Sequence, residues 1–291
     1  MRKWTNKVFL FGLLCCVLAI GLIFYPMASN WIWSNQRTRV ITQYENAVDT
    51  LQEENYVDSW EKAEAYNQEL FEQSCSIAGF SINSAPLPND DVLNSLDVSG
   101  DGTLATIEMP TLGILLPIYY GTQSKTLTNG VGVVEGSSLP IGGKGTHSVI
   151  AGHSALASSR LFSDIDQLEV GDKFYIRVLN EVLTYEVDQI TVVLPDDVSN
   201  IAIDPTKDYI TLLTCTPYGV NSHRLLVRGE RVFLSEQQDD TSNEKRHESS
   251  WWTNYQYGIL IGISIYLVGL VILIFVRIIW KIKRKKTHGK D

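Results

Sequence analysis

The sequence predicts a mainly β domain, closed as a barrel or folded as a sandwich. It stands behind an N-terminal helical region and is flanked by two membrane-spanning helices. Three observations predict this. Between residues 104 and 234, short β-branched and aromatic runs alternate with Pro and Gly, the pattern of many short strands joined by turns. Residues 36–78 instead repeat apolar side chains at helical spacing. Two further runs, 8–25 and 257–276, are apolar almost throughout.

The chain has 291 residues, enough for one domain of ordinary size plus appendages. Arg2, Lys3 and Lys7 precede the first apolar run, and Arg277, Lys281, Lys283, Arg284, Lys285, Lys286 and Lys290 follow the second. By the positive-inside rule, 1–7 and 277–291 are cytoplasmic tails, 8–28 is an anchor, 257–276 is a second span, and the chain between them lies outside the cell. A cleaved signal peptide is the alternative for the first run. The residues after Tyr25, Pro26-Met27-Ala28-Ser29-Asn30-Trp31, lack a clean small-x-small cleavage pattern, which favours an uncleaved anchor. Of the charged side chains, 14 basic and 32 acidic ones fall between the spans, and this acidic balance argues against nucleic acid as a partner.

Val40, Ile41, Tyr44, Val48 and Leu51 share one helical face, with Asn55 as a break before Trp60, Ala63, Tyr66, Leu70 and Phe71. These are packing helices, and Cys75 at their end is expected as a small buried hydrophobe. Residues 79–98 hold Pro86, Pro88 and a run of turn formers, and predict a loop. In the region 99–234, strands are expected at 106–109, 113–116, 118–120, 147–151, 173–178, 182–194, 209–215 and 225–227, with a single helical turn within 161–168. The glycines of 130–145 lack a Walker lysine and a following helix, and predict turns instead of a phosphate cradle. Residues 235–256 form a polar linker, and Trp251, Trp252, Tyr255 and Tyr257 suit a membrane interface.

The chemistry centres on 209–231. Cys215 ends one expected strand and Arg224 opens the next, with Thr216-Pro217-Tyr218-Gly219 as the turn. A hairpin here sets a thiol opposite a guanidinium, and a nearby cation favours thiolate, the nucleophilic form. His153 ends the strand 147–151 after Gly152, and can take or give a proton near neutral pH. Two alternatives use the same cysteine. A Cys75–Cys215 disulfide is open to an exported domain. A zinc site is disfavoured, because neither Cys-x-x-Cys nor His-x-x-x-His occurs. No metal and no organic cofactor is expected.

Thr211-Leu212-Leu213-Thr214-Cys215, with Arg224 downstream, resembles the signature of sortases, the cysteine transpeptidases of Gram-positive cell surfaces. Glu135-Gly136-Ser137-Ser138-Leu139-Pro140, Thr146-His147-Ser148-Val149-Ile150-Ala151-Gly152-His153, Leu161-Phe162-Ser163-Asp164-Ile165-Asp166-Gln167-Leu168 and Cys215-Thr216-Pro217-Tyr218-Gly219-Val220-Asn221 resemble class C, the pilin-polymerising sortases. The resemblance covers roughly 96–232 and implies an eight-stranded β-barrel with His153, Cys215 and Arg224 as the catalytic set. It implies cleavage of an LPxTG-like sorting signal between Thr and Gly and transfer of the acyl group to a pilin lysine, with His147 and His223 structural. Partners would be pilins or surface proteins bearing such signals, and the membrane. Two features depart from the class. Residues 85–96, in the lid position, hold Asp90-Asp91-Val92 where an Asp-Pro-aromatic triplet is usual, and Ser154-Ala155 follows the histidine where Arg-Gly is frequent. Leu87-Pro88-Asn89-Asp90 is similar to the start of a sorting signal, so the lid could be a pseudo-substrate, with a plain surface loop the favoured alternative. A peptidoglycan-anchoring sortase and a non-catalytic exported β-barrel binding module are the rival functions.

Overall fold

The computed structural model describes residues 2–76, 81–154, 159–233, 261–264, 266 and 269. Within 2–27 it describes side chains only at 12, 14, 15, 18, 21, 24 and 25. The chain divides into two units, Met1–His247 and Glu248–Asp291. In the second, the described residues are helical. The linker 235–256, most of the run 257–276 and the tail 277–291 lie outside the described residues. Among the described residues no helix is long and apolar enough to cross a membrane, so the structure supports neither expected span, 8–28 or 257–276.

Helix α1 (Arg2–Asp49) is a single element running from the first apolar run into the packing region. The chain breaks at residues 50–52, earlier than Asn55, and α2 (Glu53–Ser76) begins with Glu53 and Glu54 where its N-terminal dipole favours negative charge. Ile41, Tyr44 and Val48 bury the inner face of α1. The Tyr44 hydroxyl donates to the Leu104 carbonyl at 2.9 Å and accepts from the Leu179 N–H at 2.9 Å, joining α1 to two barrel segments. On α2, Ala63, Tyr66 and Leu70 are buried. Asn67 exchanges two hydrogen bonds with the backbone of Leu139 (Nδ2–H to O 3.1 Å, N–H to Oδ1 2.8 Å).

The segment 79–98 is not wholly a loop. Helix α3 (Asp90–Leu96) starts at Asn89, whose side chain accepts from the Val92 N–H at 3.0 Å. It buries Leu96, and Ser59 of α2 donates to the Ser95 carbonyl at 2.8 Å. At seven residues it is too short to show a periodic stripe.

Eight strands close a barrel: β1 (Thr103–Met109), β2 (Ile114–Tyr120), β3 (Val131–Val133), β4 (Thr146–Ala151), β5 (Lys173–Val178), β6 (Glu181–Val193), β7 (Asp208–Thr216) and β8 (His223–Arg231). Their order is β1-β2-β3-β4-β7-β8-β6-β5. β2·β3 and β4·β7 are parallel and the other pairs are antiparallel. β2 runs through Pro117 as one strand, because its pairing with β3 starts only at Ile118 and the missing donor breaks no ladder on that side. β3, inside the Gly-rich stretch, and the short helix α4 (Ser124–Asn129) were not expected from the sequence. Their local signal is three residues of strand and six of helix. Gly132 admits β3 to its place: a Cβ there would lie 2.0 Å from the Gly121 carbonyl oxygen. Ile107, Ile118, Val131, Ile150, Leu212 and Val227 are among the fully buried residues at the centre.

Candidate active site

The site is built where β4, β7 and β8 lie side by side. In the parallel β4·β7 pair, His147, Val149 and Ala151 stand opposite Tyr209, Thr211 and Leu213. The Gly152 N–H then donates to the Leu213 carbonyl at 3.0 Å, so the register continues to the end of β4. Two residues past the paired Ala151 and Leu213 come His153 and Cys215, so both stand at the same end of the β4·β7 pair. In the antiparallel β7·β8 pair, Cys215 is the direct partner of Arg224. The topology therefore brings His153, Cys215 and Arg224 to the same end of three adjacent strands. All three are partly exposed, as groups that meet a substrate must be.

Three contacts brace this end. The buried Thr214 hydroxyl donates to the Gly152 carbonyl at 2.7 Å, tying the residue before the cysteine to the residue before the histidine. The Phe162 N–H donates to the His153 carbonyl at 3.1 Å. Arg224 Nη1 donates to the carbonyls of Asn221 and His223 at 3.2 and 3.1 Å, which folds the guanidinium back on the turn between β7 and β8. Asn221 holds that turn with φ 61°, a left-handed conformation that asparagine tolerates.

Of the other described histidines, His147 is remote from this end and His223 stands beside Arg224. His147 lies on the same face as His153 but six residues down the strand, about 20 Å away. It is 2% exposed. Its Nδ1 lies 2.8 Å from the Ala202 carbonyl and so carries the proton. Its Nε2, 2.7 Å from the Thr211 hydroxyl, accepts. Burial pushes its pKa down to about 4, against a smaller opposing contribution from the Ala202 hydrogen bond. His223 opens β8 opposite Thr216, with Nδ1 2.9 Å from the Ser222 hydroxyl. Cys75 and Cys215 are both free thiols, so the disulfide alternative is not realised. Cys75 is also exposed, not a buried hydrophobe, because it sits at the last turn of α2 beyond the packed face.

The segment in the lid position is held by α2. Tyr66 donates to the Pro86 carbonyl at 3.1 Å, and Lys62 pairs with Asp91 at 3.1 Å. Leu87 is 62% exposed, so its side chain is not seated in an apolar groove, whereas Pro88 beside it is buried.

A β-barrel whose parallel β4·β7 pair ends in a histidine and a cysteine, with an arginine on the next strand, has the groups that acyl transfer on a cysteine needs. The sortase domain model matches residues 107–232. Sortase A of Bacillus anthracis is 33% identical over 129 residues, 44% of this chain, which spans 60% of that protein's length. Sortase C1 of GBS pilus island 1 superposes with a TM-score of 0.63 at 33% identity, covering 73% of this chain and all of the other. Sortase C of Clostridium perfringens, solved with the C-terminal cell wall sorting motif, is 42% identical with a TM-score of 0.59, covering 68% of this chain and all of the other. The chain belongs to the sortase family of cysteine transpeptidases, and its structural neighbours are class C members.

Proposed function

We propose that the chain is a membrane-anchored pilin-polymerising transpeptidase in which Cys215, His153 and Arg224 do the chemistry. The observation that carries this reading is the strand register, which sets the three residues at one end of β4, β7 and β8. The Cys215 thiolate attacks the Thr carbonyl of an LPxTG-like signal. As the Thr–Gly C–N bond breaks, imidazolium His153 gives its proton to the departing Gly amine, and a thioester remains on Cys215. A pilin lysine amine then attacks the thioester and loses a proton to His153. An isopeptide bond forms and the C–S bond breaks, returning the thiolate. Arg224 faces the developing oxyanion with a fixed fork of donors, two of which lean on turn carbonyls in the resting site. The solved C. perfringens complex with the sorting motif supports a sorting-signal substrate.

The runs 8–28 and 257–276, with basic tails at 1–7 and 277–291, support a two-pass protein with the barrel outside the cell. No metal or organic cofactor enters the scheme. Residues 85–92, pinned to α2 and leading into the first turn of α3, take no part in the chemistry, and deleting them is expected to leave cleavage of a sorting peptide unchanged. A clear rise on deletion would restore the pseudo-substrate reading.

The deciding experiment incubates the full-length chain with a candidate pilin. A covalent ladder that disappears with Cys215→Ala and His153→Ala is expected. A ladder that persists with Cys215→Ala would end the proposal. Cleavage of the signal without a ladder, and with transfer to a peptidoglycan-type amine, would point to the anchoring alternative.

A further inference from the structure

Strand pairing does not extend to His153. Gly152 makes the last β4·β7 backbone bond, and the next residue must hold an imbalanced position: fixed enough to serve a sulfur, yet beyond the ladder. The Phe162 N–H binds the His153 carbonyl from the segment that follows. Phe162 is fully buried, and its ring lies directly over Gly152, where a Cβ would come within 2.7 Å of ring carbons. Leu161, 1% exposed, has φ 33°, a conformation that L side chains rarely adopt. It is the residue that turns Phe162 inward. The corner is closed below by the Arg160–Asp164 ion pair, the Ser163 N–H on the Arg160 carbonyl at 2.8 Å and Gln167 on Asp164 at 3.1 Å. Strained backbone of this kind persists only where the surroundings over-determine it, and it collects at functional sites.

We propose that the Leu161–Phe162 corner is a positioning element for His153. The left-handed turn at Leu161 aims the Phe162 N–H at the His153 carbonyl, and the Phe162 ring closes on Gly152, so that the imidazole is presented to Cys215. Leu161 and Phe162 touch no reacting atom. They set where the proton-transfer group stands. The inference rests on the catalytic reading of His153.

The test measures kcat and KM of the full-length chain on a sorting peptide with an added amine, for Leu161→Val, Leu161→Gly and Gly152→Ala, with melting temperatures alongside. Valine keeps an apolar side chain but resists positive φ, whereas glycine accepts it and loses the side chain. Leu161→Val is expected to lower kcat about tenfold or more with KM within about twofold, and to shift the imidazole limb of the pH–rate profile. Leu161→Gly, although less stable, is expected to keep kcat within about threefold of the parent. Gly152→Ala, which must displace the ring, should follow Leu161→Val, and it stands in if the valine variant does not fold. Wild-type kcat in Leu161→Val, or equal kcat losses in the valine and glycine variants, would overturn the proposal. An active His153→Ala variant would instead show that the catalytic reading itself has failed.

Discussion

At the scale of single residues, the site depends on side chains that are ordinary one by one. Cys215 is a thiol beside a guanidinium, and Arg224 is distinguished from lysine by its planar fork. Arg224→Lys keeps the charge and loses the fork, so a fall in kcat/KM of about 10²–10³ is expected from peptide-cleavage assays. Because Cys75 and Cys215 are both free and neither is buried, both are expected to react with a thiol reagent in the native chain without prior reduction. Protection of both until reductant is added would contradict the structure. His147 offers a prediction in pH. Its pKa falls from 6.5 to about 4 on folding, so the unfolded chain binds its proton more readily. Its contribution to stability is complete above pH 6.5 and is lost as pH falls toward 4. The loss between pH 7 and 4.5 is on the order of 2–3 kcal/mol by linkage. Arg228, paired with Asp188 and stacked 4.2 Å over Tyr209, stands near this ring and opposes its protonation, while Asp188 favours it. Denaturant titrations at the two pH values should show that drop in the parent and a clearly smaller one in His147→Gln.

At the scale of elements, α1 and α2 are held to the barrel by a few buried polar contacts set among apolar ones. Tyr44 is the sharpest case, since one hydroxyl satisfies a buried carbonyl and a buried N–H at once. Tyr44→Phe leaves both without a partner and is expected to cost about 1–3 kcal/mol in chemical denaturation, with little effect on peptide cleavage. α3 shows why residues 85–96 do not read as a sorting-signal mimic in the folded chain: Asn89 caps a helix, Leu96 is in the core and Leu87 faces solvent. β4 and β7 carry the largest consequence for function. Their parallel pairing requires a long crossover, and it is that crossover that aligns two strand ends sixty residues apart in sequence.

At the scale of the whole molecule, the chain is two units, and the barrel with its helices belongs entirely to the first. The chemistry proposed here uses no residue after Arg224. Removing Glu248–Asp291 is therefore expected to leave sorting-peptide cleavage within about twofold of the full chain. A large loss on a soluble peptide would assign the second unit a part in catalysis.

Much of this was legible in the linear pattern. Short β-branched and aromatic runs bounded by Pro and Gly marked β1, β4, β5, β6 and β7, because turn residues punctuate the strands directly in the sequence. Helical spacing of apolar residues marked the packing part of α1 and α2. The motif residues singled out Cys215, His153 and Arg224 from the sequence. What the pattern could not hold was anything settled by distant partners. Pro117 sits inside β2 because β3 pairs only beyond it. β3 exists because Gly132 fits against Gly121. The order that puts β4 beside β7 is a property of barrel closure. So is the corner at Leu161, whose positive φ no local preference for leucine would suggest: it is held there by the packing of Phe162 on Gly152 and by the buried Asp164. Local chemistry chose the strands and the reactive groups, while long-range packing chose which of them meet, since contact energies between distant segments arise only once the chain has closed.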